Sequence, residues 1–252
     1  MLKVDLHMHT NYLQKKETNY GPKELINFAV AMGFDAICIS EHYCPLHKFE
    51  DYRQDPLKTY RDFREYAAKK GLVLIPGTEV RYPQGEVLLV NFKGDVRDYP
   101  RLEDLKKLPR DVLVIAPHPF FKRRICLGKD LEKHIDLFDA IEYSFFYNRF
   151  INWNKKGAKL AAKYAKPLIG NSDCHGFDHF AYTYSLVDAN KDPKSIARAV
   201  KHGKIKLISE PLPLWLFGKI VLFSGIKTVF WNTVALFKPR VEPKVPKRKS
   251  KK

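Results

Sequence analysis

The chain has 252 residues, of which 45% are hydrophobic, and this composition is typical of a globular protein rather than a disordered one. Its four cysteines form no C-x-x-C pair, which argues against a disulfide framework and favours a reducing compartment. The formal net charge of +17 favours polyanionic partners such as nucleic acid or acidic lipid. No apolar segment of signal-peptide type precedes the first predicted strand, so a cytoplasmic location is the default expectation.

Short apolar runs of β type alternate with helical patterns through the first 210 residues. Seven runs have the length and composition of strands: 3–9, 34–40, 72–80, 112–116, 139–143, 167–171 and 183–187. A further run at 86–92 follows Pro83-Gln84-Gly85 and is predicted to form a hairpin with the third. Helices are predicted at about 22–32, 56–70, 155–164 and 193–202, where proline opens or glycine closes the pattern. The alternation predicts parallel βα units.

Ionisable residues follow the apolar part of five predicted strands. Their motifs are D-L-H-M-H-T at 5–10, E-H at 41–42, G-T-E at 77–79, P-H-P at 117–119 and S-D-C-H at 172–175. In a parallel barrel the carboxyl ends of all strands lie on one rim, so these side chains would converge. His7 and His9 are two residues apart and would point to the same face of a strand.

A single histidine at a strand end is more often an ordinary surface or core residue than a metal ligand. Five strand ends that each supply an imidazole or carboxylate need another explanation, because such groups repel or lose solvation unless a cation neutralises them. The mixture of nitrogen and oxygen donors suits Zn²⁺, Mn²⁺ or Fe²⁺ better than Mg²⁺ or Ca²⁺. The predicted metal ligands are His7, His9, His42, Glu79, His118, Asp173 and His175.

With these motifs in this order, residues 1–210 resemble the PHP family (polymerase and histidinol phosphatase domains). The resemblance implies an α/β fold, a distorted seven-stranded (β/α)₇ barrel, with two or three divalent metal ions at one rim. It implies that one metal is held by the four residues that would also be catalytic: His7, His9, Glu79 and Asp173. It further implies that Glu79 bridges to a second metal with His118, and that His42 and His175 hold a third.

Three positions depart from the usual family pattern. After the first motif, where the family often has His or Asp, only Glu17 could serve. Near the fifth strand, only Glu142 or His134 is available, and Glu41 stands where Asp is usual. We therefore expect four carboxylates to act as additional ligands or to support the ligands: Asp5, Glu17, Glu41 and Glu142.

The resemblance implies a metal-dependent phosphoesterase, either a phosphatase or a phosphodiesterase or exonuclease, that uses a metal-activated water. Its substrate would be a phosphorylated small molecule or a nucleic-acid end. The candidate phosphate contacts are Arg81, Lys122, Arg123, Arg124, Arg149 and His179, although the cations could equally be ordinary solvated charges. The alternative function is a non-catalytic PHP-like subunit that binds nucleic acid or an anionic membrane.

The composition changes after residue 211. Residues 212–237 are strongly apolar and amphipathic when placed on a helix, and residues 238–252 carry eight lysines and arginines against one acidic residue. The first segment could lie on an anionic membrane at the inner face, pack on the barrel or a second chain, or form a short spanning helix. The second is predicted to be a disordered basic tail.

Overall fold

A computed structural model describes residues 1–121 and 125–222 of the chain. Residues Met1–Pro213 form one compact unit, and the chain from Leu214 onward belongs to a second, of which residues 214–222 are helical. The remainder of the predicted apolar segment and the predicted basic tail lie outside the described residues. No helix within the described residues has both the length and the apolar character needed to cross a bilayer.

The described residues contain eleven strands in two mixed sheets. The strands are β1 (Leu2–Met8), β2 (Ala36–Ile39), β3 (His42–Tyr43), β4 (Val73–Ile75), β5 (Gly77–Tyr82), β6 (Gly85–Val90), β7 (Leu113–Ala116), β8 (Ala140–Ser144), β9 (Leu168–Asn171), β10 (Thr183–Val187) and β11 (Ile205–Ser209). The first sheet has the order β11-β10-β1-β2-β4, and the second has the order β3-β5-β6-β7-β8-β9. Most neighbours are parallel, but β10 runs antiparallel to β1 and β11, and β6 runs antiparallel to β5 and β7.

Five α-helices accompany the strands within the described residues of the unit Met1–Pro213. They are α1 (Pro22–Ala31), α2 (Lys58–Lys69), α3 (Asp130–Lys133), α4 (Asn154–Lys163) and α5 (Pro193–Lys201). Helix α1 begins at a proline, and the Glu24 carboxylate accepts a hydrogen bond from the Gly21 amide at 3.0 Å. Gly33, at φ +73°, follows the end of this helix in the left-handed conformation that glycine adopts without strain.

Apolar residues from both sheets meet in one core. Val4 of β1, Leu88 of β6, Ile115 of β7 and Ile169 of β9 are fully buried in the same cluster. The two sheets therefore share an interior. The chain after β9 also joins β1 directly, because the Cys174 amide donates to the His7 carbonyl at 3.4 Å and the His9 amide donates to the Cys174 carbonyl at 3.3 Å.

The observed sheets differ from the predicted seven-stranded parallel barrel. Within the described residues the strand pairings form two mixed sheets and do not show a closed barrel. The predicted strand 72–80 is two strands in different sheets, since Pro76 between them has no N–H with which to continue one ladder. Three elements were not predicted: the two-residue strand β3, the single-turn helix α3 and the C-terminal strand β11.

Candidate metal centre

The candidate ligands lie at one end of the shared core. His7 lies in β1, and His9 follows the last residue of that strand. His42 opens β3 and is the register partner of Glu79 in the parallel strand β5. His118 is two residues beyond the end of β7. Segments that are distant in sequence thus deliver their side chains to a common place.

The chain after β9 completes this cluster. Because Cys174 is hydrogen-bonded to the end of β1, the residues on either side of it, Asp173 and His175, are held against His7 and His9. Asp173 has a φ of +43°, and His118 has a φ of +27°; both are strained values for residues with a Cβ. Such strain persists where surrounding contacts hold it, and it is found most often at functional sites.

Glu79 lies at the centre of the cluster, with each carboxylate oxygen facing two imidazoles. Its Oε1 is 3.4 Å from His7 Nε2 and 3.3 Å from His118 Nε2. Its Oε2 is 2.8 Å from His42 Nδ1 and 3.6 Å from His9 Nε2. The side chain is 1% exposed, so this carboxylate is surrounded by nitrogen donors instead of water.

Asp173 supplies the second shared carboxylate. Its Oδ1 lies 3.2 Å from His9 Nε2, 3.4 Å from His7 Nε2 and 3.3 Å from His175 Nδ1. The side chains of Asp173 and His175 are 19% and 33% exposed, whereas those of His7 and His9 are fully buried. The cluster is therefore closed at His7 and His9 and open to solvent beside His175.

Glu142 orients His7 from behind. Its carboxylate accepts hydrogen bonds from His7 Nδ1 at 2.9 Å, from the His118 amide at 2.7 Å and from Asn171 Nδ2 at 2.9 Å. With Nδ1 donating to Glu142, the Nε2 atom of His7 faces Glu79 and Asp173 at 3.4 Å and is the nitrogen that a metal ion would take once it displaces the ring's second proton. This is the usual way in which a carboxylate sets the tautomer of a metal-binding histidine.

Two other imidazoles are also held through Nδ1. His175 Nδ1 donates to the Asp173 carbonyl at 2.9 Å, and His118 Nδ1 lies 3.5 Å from Cys126 Sγ. The Nε2 atom of His175 then lies 2.8 Å from Glu17 Oε1. Glu17 is held in turn by the Tyr52 hydroxyl, which donates to it at 2.6 Å.

Several polar atoms of the cluster are buried without a hydrogen bond in the described part of the chain. They are His7 Nε2, both ring nitrogens of His9 and Glu79 Oε1. Burying polar atoms unpaired costs free energy unless another group satisfies them. Three of these atoms, His7 Nε2, His9 Nε2 and Glu79 Oε1, lie together around the Glu79 carboxylate, and a bound cation is the group that fits them.

Burial and mutual contact shift the pKa values of the clustered groups in different directions. Burial and the neighbouring His42 imidazole lower the pKa of His9 to about 3. Burial alone would raise the pKa of Glu79, but the imidazoles of His7 and His42 hold it well below its usual range. At His7 the Glu142 carboxylate opposes the effect of burial, and the pKa is raised well above its ordinary value. The anionic Glu79 and neutral His9 are both in the state required of a metal ligand.

Ligand atoms within 4.8 Å of one another form four overlapping groups in the described chain. They are His9-His42-His175, His7-His9-Glu79, His7-His118-Glu142 and His42-Glu79-Glu86. These groups could hold metal ions, and their donors suit Zn²⁺, Mn²⁺ or Fe²⁺. Glu142 is the least suited of these residues to bind metal directly, because its oxygens already accept from three N–H groups.

A family model for the PHP domain matches residues 5–202, which is most of the chain. The chain belongs to the PHP domain family. This match spans all the clustered residues and confirms the family resemblance seen in the motifs. Comparison with curated proteins gives no significant match.

Two solved structures resemble this PHP domain in fold. One is a two-domain protein from Bacteroides vulgatus containing a predicted PHP-like metal-dependent phosphoesterase, with a TM-score of 0.63 and 19% identity over 83% of this chain. This chain spans 65% of the length of that protein. The other is PsfC from Pseudomonas syringae, with a TM-score of 0.60 and 18% identity over 90% of this chain and 97% of PsfC. At such identities the likeness is one of fold.

The expected supporting carboxylates of the PHP domain occupy different places. Glu17 and Glu142 contact the clustered histidines, as described above. Asp5 is buried behind the cluster and accepts from the His7 amide at 3.1 Å and the Ser172 amide at 3.0 Å. Glu41 accepts from the Thr59 hydroxyl at 3.0 Å. Burial raises the pKa values of both Asp5 and Glu41 to about 7.

The predicted phosphate contacts are placed less uniformly. Arg81 Nε donates to Glu86 at 3.1 Å, and its side chain remains 37% exposed. Arg149 is exposed in the segment after β8. His179 is 5% exposed, and its Nε2 accepts a hydrogen bond from the His175 amide at 3.3 Å, so it holds the backbone of that residue. The remaining three, Lys122, Arg123 and Arg124, lie outside the described residues.

Glu86 and Cys126 belong to the surroundings of the site and were not predicted. Glu86 is 3% exposed, and its Oε2 lies 3.8 Å from His118 Nε2. The predicted hairpin at Gly85 contained a usable signal, because a two-stranded register places Glu86 opposite Arg81 and on the face of β5 that carries Glu79. No comparable signal exists for Cys126, whose approach to His118 depends on the path of a loop.

Proposed function

We propose that the chain is a metal-dependent phosphoesterase that hydrolyses phosphate monoesters or diesters. The observation that carries this proposal is Glu79, a buried carboxylate between four imidazoles with two nitrogens on each oxygen. Such a carboxylate is suited to bridge two cations, and closely spaced metal pairs are typical of phosphoryl-transfer centres.

The proposed ligand sets are those that the family resemblance implies. His7, His9, Glu79 and Asp173 would hold one ion, and Glu79 with His118 would hold a second. His42 and His175 would hold a third, with Glu17 as the additional carboxylate that the sequence offers near them. Zn²⁺, Mn²⁺ and Fe²⁺ are the proposed ions, two or three per chain.

Bound ions of this kind supply Lewis acidity toward a phosphoryl oxygen and lower the pKa of a coordinated water. The protein's own contribution is placement. Glu142 keeps Nε2 of His7 directed into the cluster, and the complete burial of His7 and His9 excludes bulk water from that side. The partly exposed Asp173 and His175 leave one side open, and a phosphate would enter there.

Arg81 is the best placed of the proposed phosphate contacts. It lies two residues beyond Glu79 on the same face of β5, and Glu86 fixes one edge of its guanidinium. The side chain is 37% exposed, and its N–H groups not used by Glu86 can pair with an anionic oxygen. Lys122, Arg123, Arg149 and His179 remain proposals for the same task.

Two wider proposals come from the family resemblance and the composition. One is that the two sheets form the distorted barrel of the family, and the backbone bonds between Cys174 and the end of β1 support it. The other concerns partners: a phosphorylated small molecule or nucleic-acid end as substrate, and an anionic membrane surface for residues 212–252.

The test is hydrolysis of an aryl phosphate and of a labelled single-stranded oligonucleotide by the full chain, with Mn²⁺, Zn²⁺ or Fe²⁺ supplied. We expect His7→Ala combined with His9→Ala to abolish turnover and reduce bound metal. The control, His134→Ala, removes a histidine outside the cluster and should change neither. Full turnover and unchanged bound metal in the first double variant would refute the proposed roles of His7 and His9. An unmodified chain that shows no turnover with any of these ions would favour a non-catalytic binding role.

A further inference from the structure

A cavity lies at the end of β7 opposite to the metal centre. It has a volume of about 400 Å³ and is lined by Arg110, Asp111, Lys194, Arg198, Lys201 and His202. Arg110 and Asp111 precede the first residue of β7, whereas His118 follows its last. The four-residue strand between them spans roughly 13 Å. We call this site the basic cavity.

Most cations of the basic cavity are unpaired. Arg110, Lys194, Arg198 and His202 are exposed, and within residues 1–121 and 125–222 none of them forms an ion pair. Lys201 has a partner, because its Nζ lies 2.9 Å from Asp139 Oδ2. Asp111 is the one carboxylate in the lining, and it faces four lysines and arginines.

The local stability of α5 does not explain this arrangement. A cation near the end of a helix is favoured by the dipole, which accounts for Lys201. Lys194 is in the first turn, where the dipole itself disfavours a cation; the N-cap carboxylate of Asp192 accepts from the Ser195 amide at 2.9 Å and forms no ion pair with Lys194 in the described chain. Lys194 and Arg198 are four residues apart on one face, so their charges repel. An anion bound between them would relieve this repulsion.

We propose that the basic cavity binds a compact polyphosphate anion, either free or as the phosphate chain of a nucleotide. Its volume is in the range of small-ligand sites. Two guanidinium groups, from Arg110 and Arg198, offer paired N–H donors that match phosphate oxygens, and the lysines add point charges. The lining has no aromatic or aliphatic residue on which a base could stack, so the phosphates are the recognised group.

The test is calorimetric titration of the full chain with inorganic tripolyphosphate, and separately with ATP. Lys194→Ala with Arg198→Ala should weaken tripolyphosphate binding by at least about tenfold, as expected for two lost charge-assisted contacts. Lys194→Gln with Arg198→Gln should do the same while keeping side-chain bulk. The matched control, Arg64→Ala with Lys69→Ala, removes one arginine and one lysine that are exposed on α2, and should change binding less than about twofold.

The outcomes distinguish a free polyphosphate from the phosphate chain of a nucleotide, and they show whether the anion binds in the basic cavity or elsewhere. Similar affinities for tripolyphosphate and ATP, both weakened by the two cavity variants, would support a phosphate-reading site. Binding that neither cavity variant weakens would place the anion elsewhere and overturn the proposal. An absence of tripolyphosphate binding, or an effect of the variants on a single-stranded oligonucleotide alone, would contradict it as well.

Discussion

At the residue scale, the centre depends on groups that hold the ligands as much as on the ligands themselves. Glu142 receives three N–H donors, and one of them, Asn171 Nδ2, is fixed because Asn171 Oδ1 accepts from the Leu6 amide at 2.9 Å. Every neighbour of this carboxylate is therefore a donor. A glutamine at position 142 would place its NH₂ group, which is a donor, against one of these three N–H donors.

We therefore predict that Glu142→Gln lowers metal affinity by roughly 10- to 100-fold, the range found for groups that orient metal ligands. Metal titration of the purified variant measures this directly. Glu132→Gln is the matched control, because Glu132 pairs with Lys163 on the surface, away from the cluster. An unchanged affinity in Glu142→Gln would show that His7 needs no orienting carboxylate.

The histidines also predict a pH dependence of metal binding. The Asp173 and Glu17 carboxylates outweigh partial desolvation and raise the pKa of His175 to about 10, so without metal this imidazole is protonated at neutral pH. Its contribution to stability is present below the unfolded pKa near 6.5 and is lost as pH rises through about 10. Metal binding requires the neutral ring, so it must displace this proton.

Metal uptake at pH 7 is accordingly expected to release protons, and the metal affinity should increase with pH. Calorimetry in two buffers of different ionisation enthalpy measures the number released. A heat that is identical in both buffers would contradict the protonation states inferred for His175. His175→Ala should reduce the proton count relative to the unmodified chain.

The residues that could be predicted are those with a strand-end signal. His7, His9, Glu79 and Asp173 follow apolar runs, so their convergence was foreseen from parallel topology. Cys126 could not be predicted, because its contact with His118 arises from loop geometry. The different places of Glu17 and Glu41 were also beyond prediction: both are single acids near histidines in sequence, yet only Glu17 faces the clustered imidazoles.

At the element scale, the passage from β4 to β5 places Glu79. Pro76 separates the two strands, and Gly77 then starts β5 at a crowded position. A Cβ on Gly77 would lie 2.5 Å from Cys38 Sγ and 2.6 Å from the Leu89 carbonyl oxygen. Only glycine allows β5 to approach this closely, and Glu79 is two residues further along the strand.

We predict that Gly77→Ala destabilises the fold by roughly 1–3 kcal/mol, as overpacking of a buried site does. Gly157→Ala on α4 is the control: its Cβ would meet no atom closer than 3.5 Å, and alanine favours a helix. Denaturant unfolding of both variants measures the difference. Equal stabilities for the two variants would contradict the close packing at Gly77.

Element order was largely predictable, and sheet pairing was not. The apolar run at 72–80 has continuous strand character, but its division between two sheets depends on which partners lie beside each half. Likewise, β10 was predicted as a strand, yet its antiparallel pairing with β1 on one side and β11 on the other was not. Strand β11, with the sequence IKLIS, was not recognised. Local pattern specifies an element, whereas its partner depends on long-range packing.

At the scale of the whole molecule, the candidate ligands and the basic cavity lie within the compact unit Met1–Pro213, and the apolar and basic residues at 212–252 lie almost wholly beyond it. This division suggests separate tasks for the two parts of the chain. The change in composition is visible in the sequence, but the sequence leaves three interpretations of residues 212–237 open. They could lie on a membrane surface, pack on protein or form a short spanning helix.

We predict that the full chain floats with vesicles of anionic lipid and that a chain ending at Pro213, the end of the compact unit, does not, because the apolar residues and the basic tail act together. Both chains should hydrolyse the aryl phosphate at similar rates, because every candidate ligand precedes Pro213. Neutral vesicles serve as the control. Equal flotation of the two chains would exclude a membrane role for 212–252.

The most direct test of the central claim is elemental analysis of the full chain purified without chelator, coupled to its hydrolysis of an aryl phosphate. We predict two or three equivalents of Zn, Mn or Fe per chain, and turnover that a chelator abolishes and added metal restores. A chain that binds no metal and shows no turnover with any of these ions would contradict the proposal that His7, His9, Glu79 and Asp173 form a catalytic metal centre.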